Sequence, residues 1–117
     1  MPKVSANTQT KEEVKEKAYQ ILGQAIEVIG NSNRAEITQY IKDHKEATFE
    51  VLRKELGLNA SVLSFHLKKL KKAYIVSQPV ERGSYKLGEL GEVMLLAREG
   101  LEQEAHNILR KLGSKLN

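Results

Sequence analysis

The sequence has no cysteine, which excludes disulfides, thiolate metal sites and thiol redox switching. No apolar run approaches the roughly 18 residues of a membrane span, and nothing reads as a signal peptide. No membrane partner is therefore expected, and the expected location is cytoplasmic. The three histidines, His44, His66 and His106, are scattered along the chain. No Gly-rich phosphate loop, no nucleophile in a recognisable turn and no acidic cluster is present. An enzyme is not expected, and neither is a cofactor. His106 follows Glu102 and Glu99 by one and two helical turns, too few converging ligands for a metal.

What remains is a chain of 117 residues, 40% hydrophobic and 29% charged, enough for one domain with one core. The formal charge of +4 and pI near 9.3 are only mildly basic. The charge is unevenly placed, however. Residues 1–30 balance four basic against four acidic groups, whereas residues 60–87 hold six basic groups against Glu81 alone. A local excess of this kind matters more for a polyanionic partner than the total does.

The order of elements over 48–87 is short helix, tight turn, second helix, hairpin. Thr48 opens the first helix, about 49–56, with Phe49, Leu52 and Leu56 as core. Thr48 caps that helix or forms a short strand bridge. Gly57 stands where a left-handed turn residue belongs. Asn59 is a good N-cap for a helix from about Ala60 to Tyr74. At about 100° per residue, Val62, Leu63, His66, Leu67, Leu70, Ala73 and Tyr74 share an inner, core-facing arc. His66 on that arc reads as a structural partner for a nearby backbone group. Ser61, Ser64, Phe65, Lys68 and Lys72 share the outer arc, flanked by Lys69 and Lys71. That outer arc has no acid, whereas an ordinary solvated face mixes both signs. It suits phosphates, because lysines displace their counterions. Phe65, a large ring opposite the core, needs a partner such as a thymine methyl. A strand over Ile75–Val80, an edge strand because of Pro79, returns through Arg82-Gly83 as Ser84–Leu87. Helix, tight turn, helix and β-wing make the plan of a winged helix-turn-helix, whose second helix enters the DNA major groove.

The rest of the chain predicts three more helices. Residues 1–9 read as a frayed polar tail. Thr10 or Thr8 caps a first helix ending at Gly30-Asn31. Its apolar positions Val14, Ala18, Ile21, Ala25 and Val28 lie beside a second stripe, Leu22, Ile26 and Ile29. A helix from about Asn33 to His44 turns Ile37, Tyr40 and Ile41 inward. The last helix runs from about Glu89 to Leu112, and Leu90, Met94, Ala97, Leu101, Ala105, Ile108 and Leu112 form a seam close to a coiled-coil repeat. Gly100 interrupts it. The first and last helices carry wider apolar faces than a small domain covers. The expected dimer contacts are Ala18, Ile21, Ala25, Met94, Ala97, Leu101, Ala105, Ile108 and Leu112. The fold class is thus mainly α with a small hairpin, one domain over 10–117, with dimerisation helices at about 10–29 and 89–112.

Residues 29–91 resemble the ArsR-type winged-helix regulators, broadly the ArsR/MarR group. Ile29-Gly30-Asn31-Ser32-Asn33-Arg34-Ala35-Glu36-Ile37 is similar to the family's Leu-Gly-x-x-x-Arg-x-x-Ile lead into helix two. Thr48-Phe49-Glu50-Val51-Leu52 is similar to its Thr-Phe-x-x-Leu. Ser61, Ser64, His66, Leu67 and Leu70 match its recognition helix, and Arg82-Gly83-Ser84-Tyr85-Lys86-Leu87 with Gly91 its wing and last-helix start. Phe65 departs from the family, where a polar residue is common, and Tyr74 replaces its usual Gly. The family's cysteine sensing site and its paired His and carboxylates on the last helix are both missing. The resemblance implies sequence-specific binding of double-stranded DNA by a homodimer built from the first and last helices. The expected DNA contacts are Ser61, Ser64, Phe65, Lys68, Lys69, Lys72, Arg82 and Lys86; any effector is unknown. Two other readings stay open: an architectural DNA-binding protein of low sequence specificity, and a winged-helix module for protein contacts.

Overall fold

The computed structural model describes residues 10–116; the expected tail at 1–9 lies outside them. Five helices and one hairpin follow in the order α1 (Lys11–Ile29), α2 (Ser32–His44), α3 (Phe49–Leu56), α4 (Ala60–Lys72), β1 (Val76–Ser77), β2 (Lys86–Leu87) and α5 (Gly91–Leu116). No helix among the described residues is long and apolar enough to cross a membrane.

Side-chain caps set the helix starts. Thr10 accepts from the Glu13 N–H, Asn31 from Arg34, Thr48 from Val51 and Asn59 from Val62. Each satisfies one of the orphan N–H groups of a first turn. α2 therefore begins at Ser32, slightly ahead of the expected Asn33. Of the two roles open to Thr48, it takes the cap, and its neighbour Ala47 makes the bridge, pairing with Tyr85.

α3 and α4 end alike. The Leu58 N–H donates to Arg53 O (3.2 Å) past Gly57 at φ 64°, and the Ile75 N–H donates to Leu70 O (3.0 Å) past Tyr74, also at φ 64°. A left-handed residue followed by a bond reaching back five positions is the Schellman closure. It corrects two expectations. α4 stops at Lys72, with Ala73 as C-cap, and Tyr74 is not core but 48% exposed. The reversal of φ takes Tyr74 out of the helical phase that had placed it inside.

The hairpin is shorter than expected. Val76 pairs with Leu87 and Ser77 with Lys86. Pro79 has no N–H to continue the ladder, and it falls beyond the paired residues. The Gly83 N–H donates to Val80 O (2.8 Å), and Arg82 rather than Gly83 takes the left-handed conformation, φ 62°. The core gathers between these elements: Ile37 and Ile41 of α2, Leu52 of α3, Leu63, Leu67 and Leu70 of α4, then Ile75, Val76, Tyr85, Met94 and Leu95. Thr38, fully buried, donates its hydroxyl to Arg34 O (2.7 Å), so its polar atom is satisfied.

α1 and α5 reach beyond this core. Residues 11–24 are all exposed, and among residues 91–115 of α5 only Gly91, Met94 and Leu95 are buried. The radius of gyration is 18.2 Å and the long dimension 71 Å, against about 13 Å for a compact chain of this length. α5 alone, at 26 residues, spans about 39 Å. Its base is held close: the Gly88 N–H donates to Ile75 O (2.8 Å) and the Leu90 N–H to Tyr74 O (2.8 Å). A Cβ on Gly88 would lie 2.5 Å from Tyr74 O, so only glycine fits this contact.

Candidate nucleic-acid interface

α4 buries one face and shows the other. Leu63, His66, Leu67 and Leu70 are buried, while Ser61, Ser64, Phe65, Lys68, Lys69, Lys71 and Lys72 are all exposed. The expected outer face thus forms one continuous surface without an acid of its own. At its N-terminal end the Ser61 hydroxyl donates to Asn59 Oδ1 (3.0 Å), which also accepts from the Val62 N–H (2.9 Å). The Ser61 proton is engaged by the cap, so its outward lone pairs are acceptors.

Phe65 is 55% exposed. Its ring meets His66 edge-on at 5.5 Å, and the Lys69 ammonium stands 5.1 Å from its centroid, within range of a cation–π contact. With Lys68, Lys69, Lys72 and Val28, Gln24 and Glu27 of α1, it lines a groove of about 340 Å3. Glu27 is an acidic neighbour that a reading of α4 alone missed, because it comes from another helix.

The wing cations differ. Arg82 is exposed at the hairpin tip and forms no ion pair among the described residues. Lys86 lies 3.9 Å from Glu46, a loose exposed pair that contributes little and leaves the ammonium accessible. Lys71 does not join the outer face. Its Nζ donates to Gln78 Oε1 (3.1 Å) and lies 6.0 Å above the Tyr85 ring.

Below the outer face, His66 has a side-chain partner rather than the expected backbone one. Arg34 donates from Nε to Val28 O (2.6 Å), and its Nη1 lies 3.3 Å from His66 Nδ1. Burial, Arg34 and Lys69, in that order, hold the His66 pKa below the ordinary histidine value. Through these two bonds the Arg34 side chain joins the end of α1, the start of α2 and the middle of α4. Arg34 stood in the stretch resembling the family's Arg, but sequence spacing did not give its role.

Residues 29–78 match the family model described as a helix-turn-helix domain. No curated protein matches the chain in sequence. Among solved structures, the chain is similar to the homodimeric winged helix-turn-helix DNA-binding domain of a possible ArsR-family transcriptional regulator from Mycobacterium bovis. That match has a TM-score of 0.64 at 19% identity, covering 89% of this chain and 92% of that one. NolR from Sinorhizobium fredii matches with a TM-score of 0.57 at 24% identity, covering 87% of this chain and 95% of that one. A MarR family protein from Bacillus stearothermophilus gives 0.55 at 15% identity, covering 91% of each chain. The chain has the winged helix-turn-helix fold of the ArsR and MarR regulators.

In this winged helix-turn-helix, α3 and α4 are the first and second helices of the motif, α4 standing in the position called the recognition helix, and β1–β2 is the wing. The expected dimer residues divide in two. Ala25 (0% exposed) and Met94 (2%) are used up inside the protomer's own core, where α1 and α5 cross the body of the domain. They are not free for a partner, which corrects that part of the expectation. Ala18, Ile21, Ala97, Leu101, Ala105, Ile108 and Leu112 are exposed, Leu101 at 65% and Ile108 at 54%. Val14, Leu22, Ile26, Leu96 and Leu109 widen the apolar surface. Between the two helices an apolar groove of about 320 Å3 is lined by Ile26, Ile29, Met94, Ala97, Leu101 and Ala105. At its edge Arg98 donates from Nη1 to Ile29 O (2.9 Å) and Gly30 O (2.7 Å), and its Nε meets Glu102 at 2.8 Å. A cation on these last carbonyls favours the end of α1 and fixes α5 against it. No cluster of three or more potential metal ligands occurs among the described residues.

Proposed function

We propose that the protein is a homodimeric, sequence-specific transcription regulator of double-stranded DNA, with residues 10–117 acting as one unit. One observation carries the reading: the outer face of the recognition helix exposes Ser61, Ser64, Phe65, Lys68, Lys69 and Lys72 with no acid among them. Lysines around a helix of groove-filling width neutralise phosphates on both sides of a major groove. In this arrangement Lys68, Lys69, Lys72, Arg82 and Lys86 contact phosphates and set the register. Ser61, Ser64 and Phe65, on the first two turns, face base edges. Phe65 favours a thymine methyl, and the Ser61 lone pairs favour a base donor such as an amino group.

Dimerisation is supported by the exposed apolar faces of α1 and α5, and by the homodimeric state of the similar domain from Mycobacterium bovis. The dimer residues of this reading are Ala18, Ile21, Ala97, Leu101, Ala105, Ile108 and Leu112. A two-fold pair of recognition helices meets half-sites about one helical turn apart, or a multiple of it.

A second reading is an architectural protein with little sequence preference. It is favoured by the two serines, which discriminate bases poorly on their own. Selection of bound DNA from a random pool at fixed salt separates the two. An enriched two-fold motif supports the regulator, and salt-dependent binding without a motif supports the architectural role. Absence of salt-dependent binding indicates a protein-contact module and overturns both.

A further inference from the structure

Lys71 is the one lysine of the α4 Lys cluster, 68–72, whose ammonium is hydrogen-bonded to the wing. It donates to Gln78 Oε1 (3.1 Å), and Gln78 in turn donates from Nε2 to Gly83 O (3.0 Å). Gly83 closes the wing turn with its N–H on Val80 O (2.8 Å), and the residue before it, Arg82, holds φ 62°. Tyr85, under the Lys71 ammonium, is tied by its backbone to Ala47 in both directions (3.0 and 2.8 Å). The hairpin itself is short, only two residues in each strand, so its own ladder holds the loop from 78 to 85 weakly. A two-stranded ribbon of this size is marginal without outside support.

From this chain of contacts we infer that Lys71 and Gln78 are positioning residues, a latch from the recognition helix to the wing turn that sets where Arg82 stands. The inference rests on the DNA-binding reading, in which Arg82 meets phosphate. Gln78 spans the ribbon because its amide has an acceptor for Lys71 and a donor for the Gly83 carbonyl. Lys71 supplies the reach and three donors from the recognition helix. Without the latch the recognition helix keeps Lys68, Lys69 and Lys72, but the wing turn moves on its own. The Arg82 contact then bears the ordering cost of the loop at each binding event.

The test is a double-mutant cycle on DNA affinity. Gln78→Ala changes no charge, so it cannot remove a phosphate cation. Gln78→Ala and Lys71→Met are each measured in the wild-type protein and in Arg82→Ala, with dimer state and thermal melting followed alongside. Each single variant is expected to weaken binding on the order of fivefold, the scale of one exposed charged contact, and to lose that effect in the Arg82→Ala background. Full additivity of Gln78→Ala with Arg82→Ala overturns the latch, and so does an unchanged affinity. Additivity for Lys71→Met alone makes Lys71 a phosphate contact and overturns its positioning role. Amide exchange in the free protein gives a second arm that needs no DNA. Faster exchange at the Gly83 N–H in Gln78→Ala, relative to the α4 amides, supports the latch. Unchanged exchange there overturns it. If the wild-type protein binds no DNA, the functional reading fails, while the exchange result still decides whether the latch holds the wing.

Discussion

Arg34 Nη1 lies 3.3 Å from Nδ1 of His66. A guanidinium only donates, so Nδ1 is the acceptor, and the ring is neutral with its proton on Nε2. Protonation turns that acceptor into a second donor facing a cation. This agrees with the direction of the shift, below the ordinary histidine value, from burial, Arg34 and Lys69. The folded state therefore binds fewer protons at His66 than the unfolded chain does just below the ordinary histidine pKa of about 6.5. Stability from this group is fully present above that pH. It is lost as pH falls from there toward the lower folded value. Chemical denaturation from pH 7.5 down to 5 should show a slope that His66→Gln reduces. An identical slope in that variant removes His66 as the cause.

The second prediction concerns Leu101 and Ile108, the exposed seam of α5. Burial of each across a two-fold axis contributes on the order of 2 kcal/mol. Leu101→Glu together with Ile108→Glu should yield monomers or unfolded chain in sedimentation. A native-like dimer of the double variant is the outcome that defeats the proposed interface.

The third prediction separates register from reading. Lys72→Ala and Arg82→Ala should weaken binding to all sequences alike. The slope of log affinity against log salt should fall by roughly 1 per contact in each half-site. If neither variant changes the slope, neither side chain is at a phosphate.

Phe65→Ala should act differently. Preference at one position in each half-site should flatten, with a loss of about 1 kcal/mol, and non-specific affinity should stay near wild type. The measurement is a binding series over all four bases at each site position. Should the variant keep every wild-type preference, the ring serves the groove beside Val28 and Lys69, and specificity comes from DNA shape.

A fifth prediction uses the paired helix ends. Gly57 and Tyr74 both hold φ 64°, a conformation that costs a side-chain-bearing residue roughly 1–2 kcal/mol. Tyr74 is half exposed, so little packing offsets that cost. Tyr74→Gly should raise thermal stability by about 1 kcal/mol, read from a melting curve. A lower melting temperature shows instead that the ring's contacts outweigh the backbone strain.

Local chemistry made most of the scaffold legible. Thr10, Thr48 and Asn59 announced helix starts because an N-cap is decided within three residues, and Gly57 announced the turn by its conformation. The outer face of α4 was legible because a helix fixes its own faces. What a face meets is set by other segments. Periodicity grouped Ala25 and Met94 with the exposed seam although the domain body covers them. Tyr74 went astray because a left-handed residue ends the helical phase before its side chain. The Arg34–His66 bond spans 32 positions, and Lys71–Gln78 depends on how the hairpin folds back; neither leaves a spacing signal.

The projecting half of α5 also bears on when the protein is folded at all. Residues 99–112 are exposed along their whole length, and an isolated helix of that size is marginal in water. In the proposed dimer its order comes from association, so melting becomes second order in protein. Dilution lowers the melting temperature, and DNA with two half-sites raises it by holding two chains together. For such a dimer, abundance in the cell would set how much of the chain is folded as well as how much DNA is occupied.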